Sequence, residues 1–264
     1  MIYQAAELWE KLRVKRPLVH CITNYVSINE VANVLLAAGA SPAMAEHEQD
    51  AGEFARLANA VYLNVGSLTQ DQELAMAGAV SAARAEDIPL VLDPVACGVI
   101  MSYRRACRMI MESKALTILK GNQAEIKSLA GFDAKVCGVD SLDEGEGAEA
   151  ACRSLYRNYR SVVVASGAQD LVVGEKTARI TNGSPLFQAI TGAGCMLGAV
   201  IAACLAASPD DPWMAGITGT LAFNIAGEKA AGQSSGPGSF RINLMDRLYS
   251  LQGRDIIKAG RLEC

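Results

Sequence analysis

Four apolar runs each end in a group that could act on a ligand. Val61–Val65 is followed by Gly66 and Ser67, Leu90–Leu92 by Asp93 and Pro94, Leu116–Leu119 by Lys120, Gly121 and Asn122, and Val162–Ala165 by Ser166 and Gly167. Ligands of open parallel sheets bind beyond the carboxyl ends of the strands. If these runs are parallel strands, an acid, a cation, an amide and a hydroxyl converge on one rim. Turns also require polar residues and glycine, and for Ser166-Gly167 that requirement accounts for the pair as well as a ligand does. For Asp93, after the apolar PLVL, a role at the rim is the better account.

Thr191-Gly192-Ala193-Gly194-Cys195 opens a helical pattern inside a stretch, Arg179 to Asp210, that holds no charged side chain between its ends. Small residues let backbone N–H groups approach a ligand, and a helix start is electropositive, so Gly192 and Gly194 suit an anion hole for phosphate. Cys195 falls in the first turn, where the same field lowers a thiol pKa and yields a base or nucleophile beside the phosphate. Equally, a small cysteine packs well in a core helix. The glycines through Gly198 approach a dinucleotide fingerprint, but SPLFQAI before them is no buried strand and Asp210 and Asp211 sit in a Pro-flanked turn, which argues against a Rossmann site. No G-x-x-x-x-G-K-[ST] loop occurs.

Asn122 and Glu125 have the spacing of a capping box. Glu125 could in addition stand near Mg²⁺ or its waters with Asp93, since Mg²⁺ takes one or two carboxylates and keeps several waters. His20 and His47 belong to no recognisable motif, and Arg104, Arg105 and Arg108 read as a solvated helix face.

The elements that must position these groups alternate almost throughout. Strands are predicted at Leu18–Ile22, Ala60–Val65, Leu90–Leu92, Leu116–Leu119, Ser161–Ala165, Asp170–Gly174 and Ala178–Thr181. Several are continuous Val/Ile/Leu runs, as in strands covered on both faces. Helices fit Tyr3–Arg13, Ser27–Ala38, Asp50–Ala58, Gln70–Glu86, Tyr103–Ser113, Asn122–Ala130, Asp143–Tyr159, Gly192–Ala207, Pro212–Gly232 and Ser239–Leu251. Ser27 and Glu30 predict a capping box for the second helix. The β-then-α order implies a mostly parallel sheet with helices on both sides, and Asp170–Thr181 an antiparallel hairpin turning at Gly174–Lys176. No linker divides the chain, so residues 1–264 are expected to form one domain.

Composition bounds the function. Of 264 residues 51% are apolar, 20% charged and 5% aromatic, with a net charge of −4. That leaves no basic footprint for nucleic acid and no stacking platform for bases. The charge-free helical stretch, broken upstream by Asn182–Pro185, is too short to span a membrane. Eight scattered cysteines without a C-x-x-C pair, and a charged N-terminal segment, fit free thiols in a reducing cytoplasm.

HCITN at 20–24, GASPAMA at 39–45, LDPVACG at 92–98, LKGNQAEI at 119–126, VASGAQDLV at 164–172 and TGAGCMLGA at 191–199 resemble the hydroxyethylthiazole kinase family, in that family's order. The resemblance implies a ribokinase-like three-layer α/β/α sandwich. It also implies phosphorylation of 4-methyl-5-(2-hydroxyethyl)thiazole by ATP and Mg²⁺ for thiamine biosynthesis, in a homotrimer with active sites at subunit interfaces. By the same resemblance Met44 contacts the thiazole, with Asn24 and Val26 bordering its pocket, and Gly192 lies at the substrate hydroxyl. Lys120 and Ser166 take the ATP-contacting positions, Asp93 and Glu125 the magnesium side, and Cys195 the place where related sugar and vitamin kinases carry a catalytic Asp. The family's usual DPVGAGAT is DPVACGVI here, which alters two small positions near the phosphates, Ala96 and Cys97. The rivals are a thiol hydrolase, a nicotinamide oxidoreductase, a silent binding module and, within the same fold, a pyrimidine or pyridoxal-type kinase.

Overall fold

Helix and strand alternate from the first residues onward. The structure, a computed structural model, describes residues 1–132 and 144–264. Helix α1 (Ile2–Lys15) leads into β1 (Leu18–Ile22), α2 (Ile28–Ala38), β2 (Ser41–Ala43), α3 (Glu48–Leu57) and β3 (Ala60–Asn64). There follow α4 (Gln70–Ala85), β4 (Leu90–Asp93), α5 (Met101–Glu112), β5 (Leu116–Asn122), α6 (Gln123–Leu129) and α7 (Glu144–Tyr159). Next come β6 (Val162–Ser166), β7 (Asp170–Val173) and β8 (Thr177–Ile180). The chain closes with α8 (Ala193–Ala207), α9 (Pro212–Ala231), α10 (Pro237–Ser250), α11 (Gly253–Ala259) and β9 (Leu262–Glu263).

Among the described residues these strands form one sheet in the order β2-β1-β3-β4-β5-β6-β7-β8-β9. The first six in that order run parallel, and the rest add antiparallel, the expected hairpin being β7–β8. After β1 the chain steps outward through α2 to β2, then returns through α3 to β3 on the other side of β1. Crossovers keep one hand, so this reversal puts α2 and α3 on opposite faces and opens a crevice between β1 and β3.

Side chains alternate along each strand, and the core divides accordingly. Cys21, Tyr62, Val91, Ile118 and Val164 join the cluster under α1, α2, α8, α9 and α10. Ile22, Leu63, Leu92, Leu119 and Val163 join the one under α3, α4, α5 and α7. Two buried faces are the three-layer sandwich that the unalternating runs required. Helix α8 is apolar all round, which calls for burial on all sides, and 13 of its 15 residues are buried. No helix among the described residues is long and apolar enough to cross a membrane.

The sequence patterns missed β2, β9, α11 and a 3-10 turn at Pro185–Ala189. β2 is three residues with a proline at the sheet edge, the place a strand tolerates one, and the others are too short to show a period. The Ser27–Glu30 capping box does not form. Ser27 is the N-cap residue, but its hydroxyl donates to Asn24 Oδ1 at 3.0 Å, while Glu30 faces Arg241 at 3.4 Å. The predicted start of α7 at Asp143, like Cys137, lies outside the described residues.

Candidate active site

The same alternation that builds the core aims polar side chains at α8. Tyr62 and Asn64 on β3, Asp93 at the end of β4 and Lys120 on β5 share the face that α8 covers. Lys120 Nζ donates to the Gly194 carbonyl at 2.8 Å and to Asp93 Oδ2 at 3.4 Å, with both side chains buried. Tyr62 Oη lies 3.0 Å from Asp93 Oδ2 and 3.0 Å from the Cys195 carbonyl, and it accepts from Asn64 Nδ2 at 3.1 Å. Burial pulls the Lys120 pKa down, but Asp93, Glu125 and Cys195 outweigh it and hold the ammonium charged. Burial raises Asp93, with help from Glu125, and Lys120 and Tyr62 offset this only in part.

Above this pair sits the start of α8. Gly192 is its N-cap at φ +77°, and a Cβ there would lie 2.9 Å from Ser27 Cβ, so only glycine fits. The first intrahelical bond, from Met196 N to Gly192 O, is 2.8 Å. The N–H groups of Ala193, Gly194 and Cys195 therefore have no acceptor within the helix, the arrangement that an anion hole would use. A Cβ on residue 194 would come within 3.2 Å of Lys120 Nζ.

The expected lowering of the Cys195 thiol pKa meets surroundings that act the other way. Burial first, then the Asp93 charge, raise its pKa, and Ser27, Lys120 and Asn24 do not compensate. The helix-start field is outweighed because the sulfur lies against the sheet, beside an acid.

The crevice between β1 and β3 gathers the remaining substrate-side residues. Asn24 Nδ2 donates to Asn64 Oδ1 at 2.9 Å and approaches Cys195 Sγ at 3.5 Å. Val26 is 54% exposed beside Tyr25 at 69%. Met44, half-buried, leads into a segment held by two side chains. His20 Nε2 meets the Ala45 carbonyl at 2.6 Å, and Gln72 Nε2 donates to Glu46 Oε2 at 3.0 Å and to Thr23 O at 3.1 Å. His20 thus has a structural use that the sequence did not disclose. With a carbonyl as partner its Nε2 carries the proton, and burial lowers its pKa.

Glu125 forms the capping box: its Oε2 accepts from Asn122 N at 2.8 Å while Asn122 Oδ1 accepts from Glu125 N at 2.8 Å. Oε1 accepts from Ala96 N at 3.0 Å. Both carboxylate oxygens therefore face backbone donors, and Glu125 ties the loop after β4 to the start of α6. Ser166 Oγ donates to Gly121 O at 3.3 Å, and Gly167 N to Asp170 Oδ1 at 2.9 Å, which fixes the turn after β6. Arg104 is more than a solvated face, since it donates to the Cys97 and Gly98 carbonyls at 3.0 Å and to Ser128 Oγ at 2.6 Å.

Among the described residues no three His, Cys, Asp or Glu side chains form a metal cage. Asp93 alone offers an open oxygen, because its hydrogen bonds all fall on Oδ2. One open carboxylate at a phosphate-sized hole fits Mg²⁺ carried in with a nucleotide.

Asn24, Asp93, Lys120, Gly192, Gly194 and Cys195 thus meet in one place, with Glu125 one loop away. Met44 follows β2 and is partly buried against the core, Val26 is exposed just before α2, and Ser166 ends the second strand beyond β4. Sequence reasoning missed Tyr62 and Asn64. Their signal was positional: two polar groups at alternate places, 62 and 64, in an otherwise apolar run.

A model of the hydroxyethylthiazole kinase family matches residues 9–254. A hydroxyethylthiazole kinase of Syntrophomonas wolfei is 54% identical, covering 100% of both chains, and one of Clostridium novyi is 46% identical over 97% of this chain and 96% of that one. A solved hydroxyethylthiazole kinase of Pyrococcus horikoshii OT3 superposes with a TM-score of 0.90 at 35% identity, covering 98% of each chain. A pyridoxal kinase of Staphylococcus aureus shares the fold at a TM-score of 0.59 and 18% identity, covering 80% of this chain and 87% of that one. A buried lysine–aspartate pair under a glycine-lined helix start, on a chain matched from end to end by these relatives, leaves one assignment: the chain belongs to the hydroxyethylthiazole kinase family.

Proposed function

We propose that the protein transfers the γ-phosphoryl group of ATP to the primary hydroxyl of 4-methyl-5-(2-hydroxyethyl)thiazole, giving the thiazole monophosphate, ADP and a proton. The observation that carries this reading is the Lys120 ammonium, held between Asp93 and the Gly194 carbonyl in the first turn of α8, whose first three N–H groups have no acceptor within the helix. Phosphoryl transfer asks mainly for alignment and neutralisation of charge. The N–H groups of Ala193, Gly194 and Cys195 and the Lys120 cation would supply it. Asp93 Oδ1 would face Mg²⁺, and Glu125 would act on it through water while holding Ala96. When bound, the metal would supply neutralisation of phosphate charge beside Asp93.

Asn24, Val26 and Met44 would enclose the thiazole ring, with its hydroxyl at Gly192, and Ser166 would contact the nucleotide. Cys195 lies beside the hydroxyl as a thiol, so its contribution as a base is small. The exposed Tyr25 and Val26 at the mouth of the crevice favour a second copy as the missing wall, hence a homotrimer with shared sites. Unpaired cysteines suit a reducing cytoplasm.

The test is direct. Protein, ATP, Mg²⁺ and hydroxyethylthiazole should yield the phosphate ester by mass spectrometry, and none without Mg²⁺. Phosphorylation of pyridoxine or hydroxymethylpyrimidine alone would overturn the substrate and leave the reaction class.

A further inference from the structure

Three parts of the candidate site meet at the Tyr62 hydroxyl. It touches the acid at the end of β4, the carbonyl of the first turn of α8 and the Asn64 amide that also holds Asn24. Room for the ring exists because residue 198 is glycine: a Cβ there would lie 2.8 Å from both Tyr62 Oη and Cε2. The side chain is fully buried, and its hydroxyl is already engaged by Asp93, the Cys195 carbonyl and Asn64.

Asp93 Oδ2 receives Tyr62 and Lys120, and Oδ1 receives no hydrogen bond. Which oxygen faces the rim is therefore set from below. We propose that Tyr62 is a positioning residue for phosphoryl transfer: its one hydroxyl proton, shared between Asp93 Oδ2 and the Cys195 carbonyl at 3.0 Å each, orients the carboxylate beneath the first turn of α8, where the phosphoryl group would be neutralised. The inference rests on the functional reading above and deepens it. Without the hydroxyl, Lys120 alone would hold Asp93, which could then turn about its last side-chain bond. The Cys195 carbonyl would lose its link to the sheet. Both losses bear on the reacting phosphate and leave the Ser166 turn alone, so kcat should fall while KM for ATP holds, and KM for the thiazole should move only through the Asn64–Asn24 bond.

Tyr62→Phe keeps the ring and deletes the hydroxyl. Its kcat is expected to fall about tenfold or more, the scale of a lost hydrogen bond to a charged group, with KM for ATP near wild type and a circular dichroism melt modestly lowered, because the buried Asn64 amide and Cys195 carbonyl lose a partner. A hydroxyl supplied from the helix should substitute. Tyr62→Val with Gly198→Ser should recover activity that Tyr62→Val alone loses, because the new side chain starts beside the vacated Oη. Alkylation of Cys195 by iodoacetamide, followed by peptide mass spectrometry without substrates, should be faster in Tyr62→Phe as the first turn loosens. Wild-type kcat together with a wild-type alkylation rate would overturn the proposal. So would a loss of kcat that follows the loss of folded protein and is not rescued by the double variant. If the wild-type protein fails to phosphorylate the thiazole, the substrate reading falls, and the alkylation comparison still decides the tie to Tyr62.

Discussion

At the residue scale the site is governed by one buried ion pair. Lys120 and Asp93 sit 3.4 Å apart, with side chains 3% and 2% exposed. Removing one partner from such a pair leaves an uncompensated charge and costs about 3 to 5 kcal/mol. Lys120→Met should therefore lower stability on that scale in urea melts, beyond its loss of turnover. A second residue-scale prediction concerns the altered loop after β4. Ala96 adopts φ +56°, a left-handed conformation that penalises a side chain by about 1 kcal/mol. Ala96→Gly should raise the melting temperature by about 2 to 4 °C, read by calorimetry. Activity should persist, because the bond from Ala96 N to Glu125 Oε1 is a backbone one.

At the scale of elements, the segment between β2 and α3 is held to β1 and α4 by His20 and Gln72. His20 Nδ1 is buried without a partner, so a proton there would have no acceptor. Its folded-state pKa lies below the ordinary 6.5. The stability it contributes is present above 6.5 and is lost as the pH falls below that value toward the folded-state pKa. Asp170, raised to about 6 by burial, acts in the opposite sense over the same range. The prediction is therefore a difference: between pH 7 and 5, wild type should lose more stability than His20→Gln, whose amide can still reach the Ala45 carbonyl. Equal slopes in denaturant titrations would show that His20 does not titrate on unfolding.

At the scale of the whole molecule, the crevice between β1 and β3 opens where Val26 and Tyr25 are exposed, and an apolar wall in water is a place for a second subunit. In the homotrimer proposed above, Val26→Asp should weaken assembly toward monomer in light scattering and raise KM for the thiazole. A trimer with an unchanged KM would place Val26 outside the interface and the pocket.

Much of this architecture is legible in the chain itself. Unalternating Val and Leu runs announce strands buried on both faces, and a charge-free helix announces a core. Gly192 is legible as a position that needs glycine, with φ +77° and Ser27 Cβ 2.9 Å from where a Cβ would stand. Asp93 and Lys120 are legible too, since each follows an apolar strand at the end where ligands bind. Local pattern could not tell which neighbours those groups would find. Burial, and then the charge of Asp93, push the Cys195 thiol pKa up, and Glu125 turns both oxygens inward because Ala96 and Asn122 arrive there. Ser27 gives its hydroxyl to Asn24 rather than to its own helix, and Tyr62 becomes the link between acid and helix through Gly198, 136 positions further on. Periodicity and residue type act over a few residues and are written along the chain. Partners, burial and the pKa values that follow arise between segments far apart in sequence, and only packing brings those together.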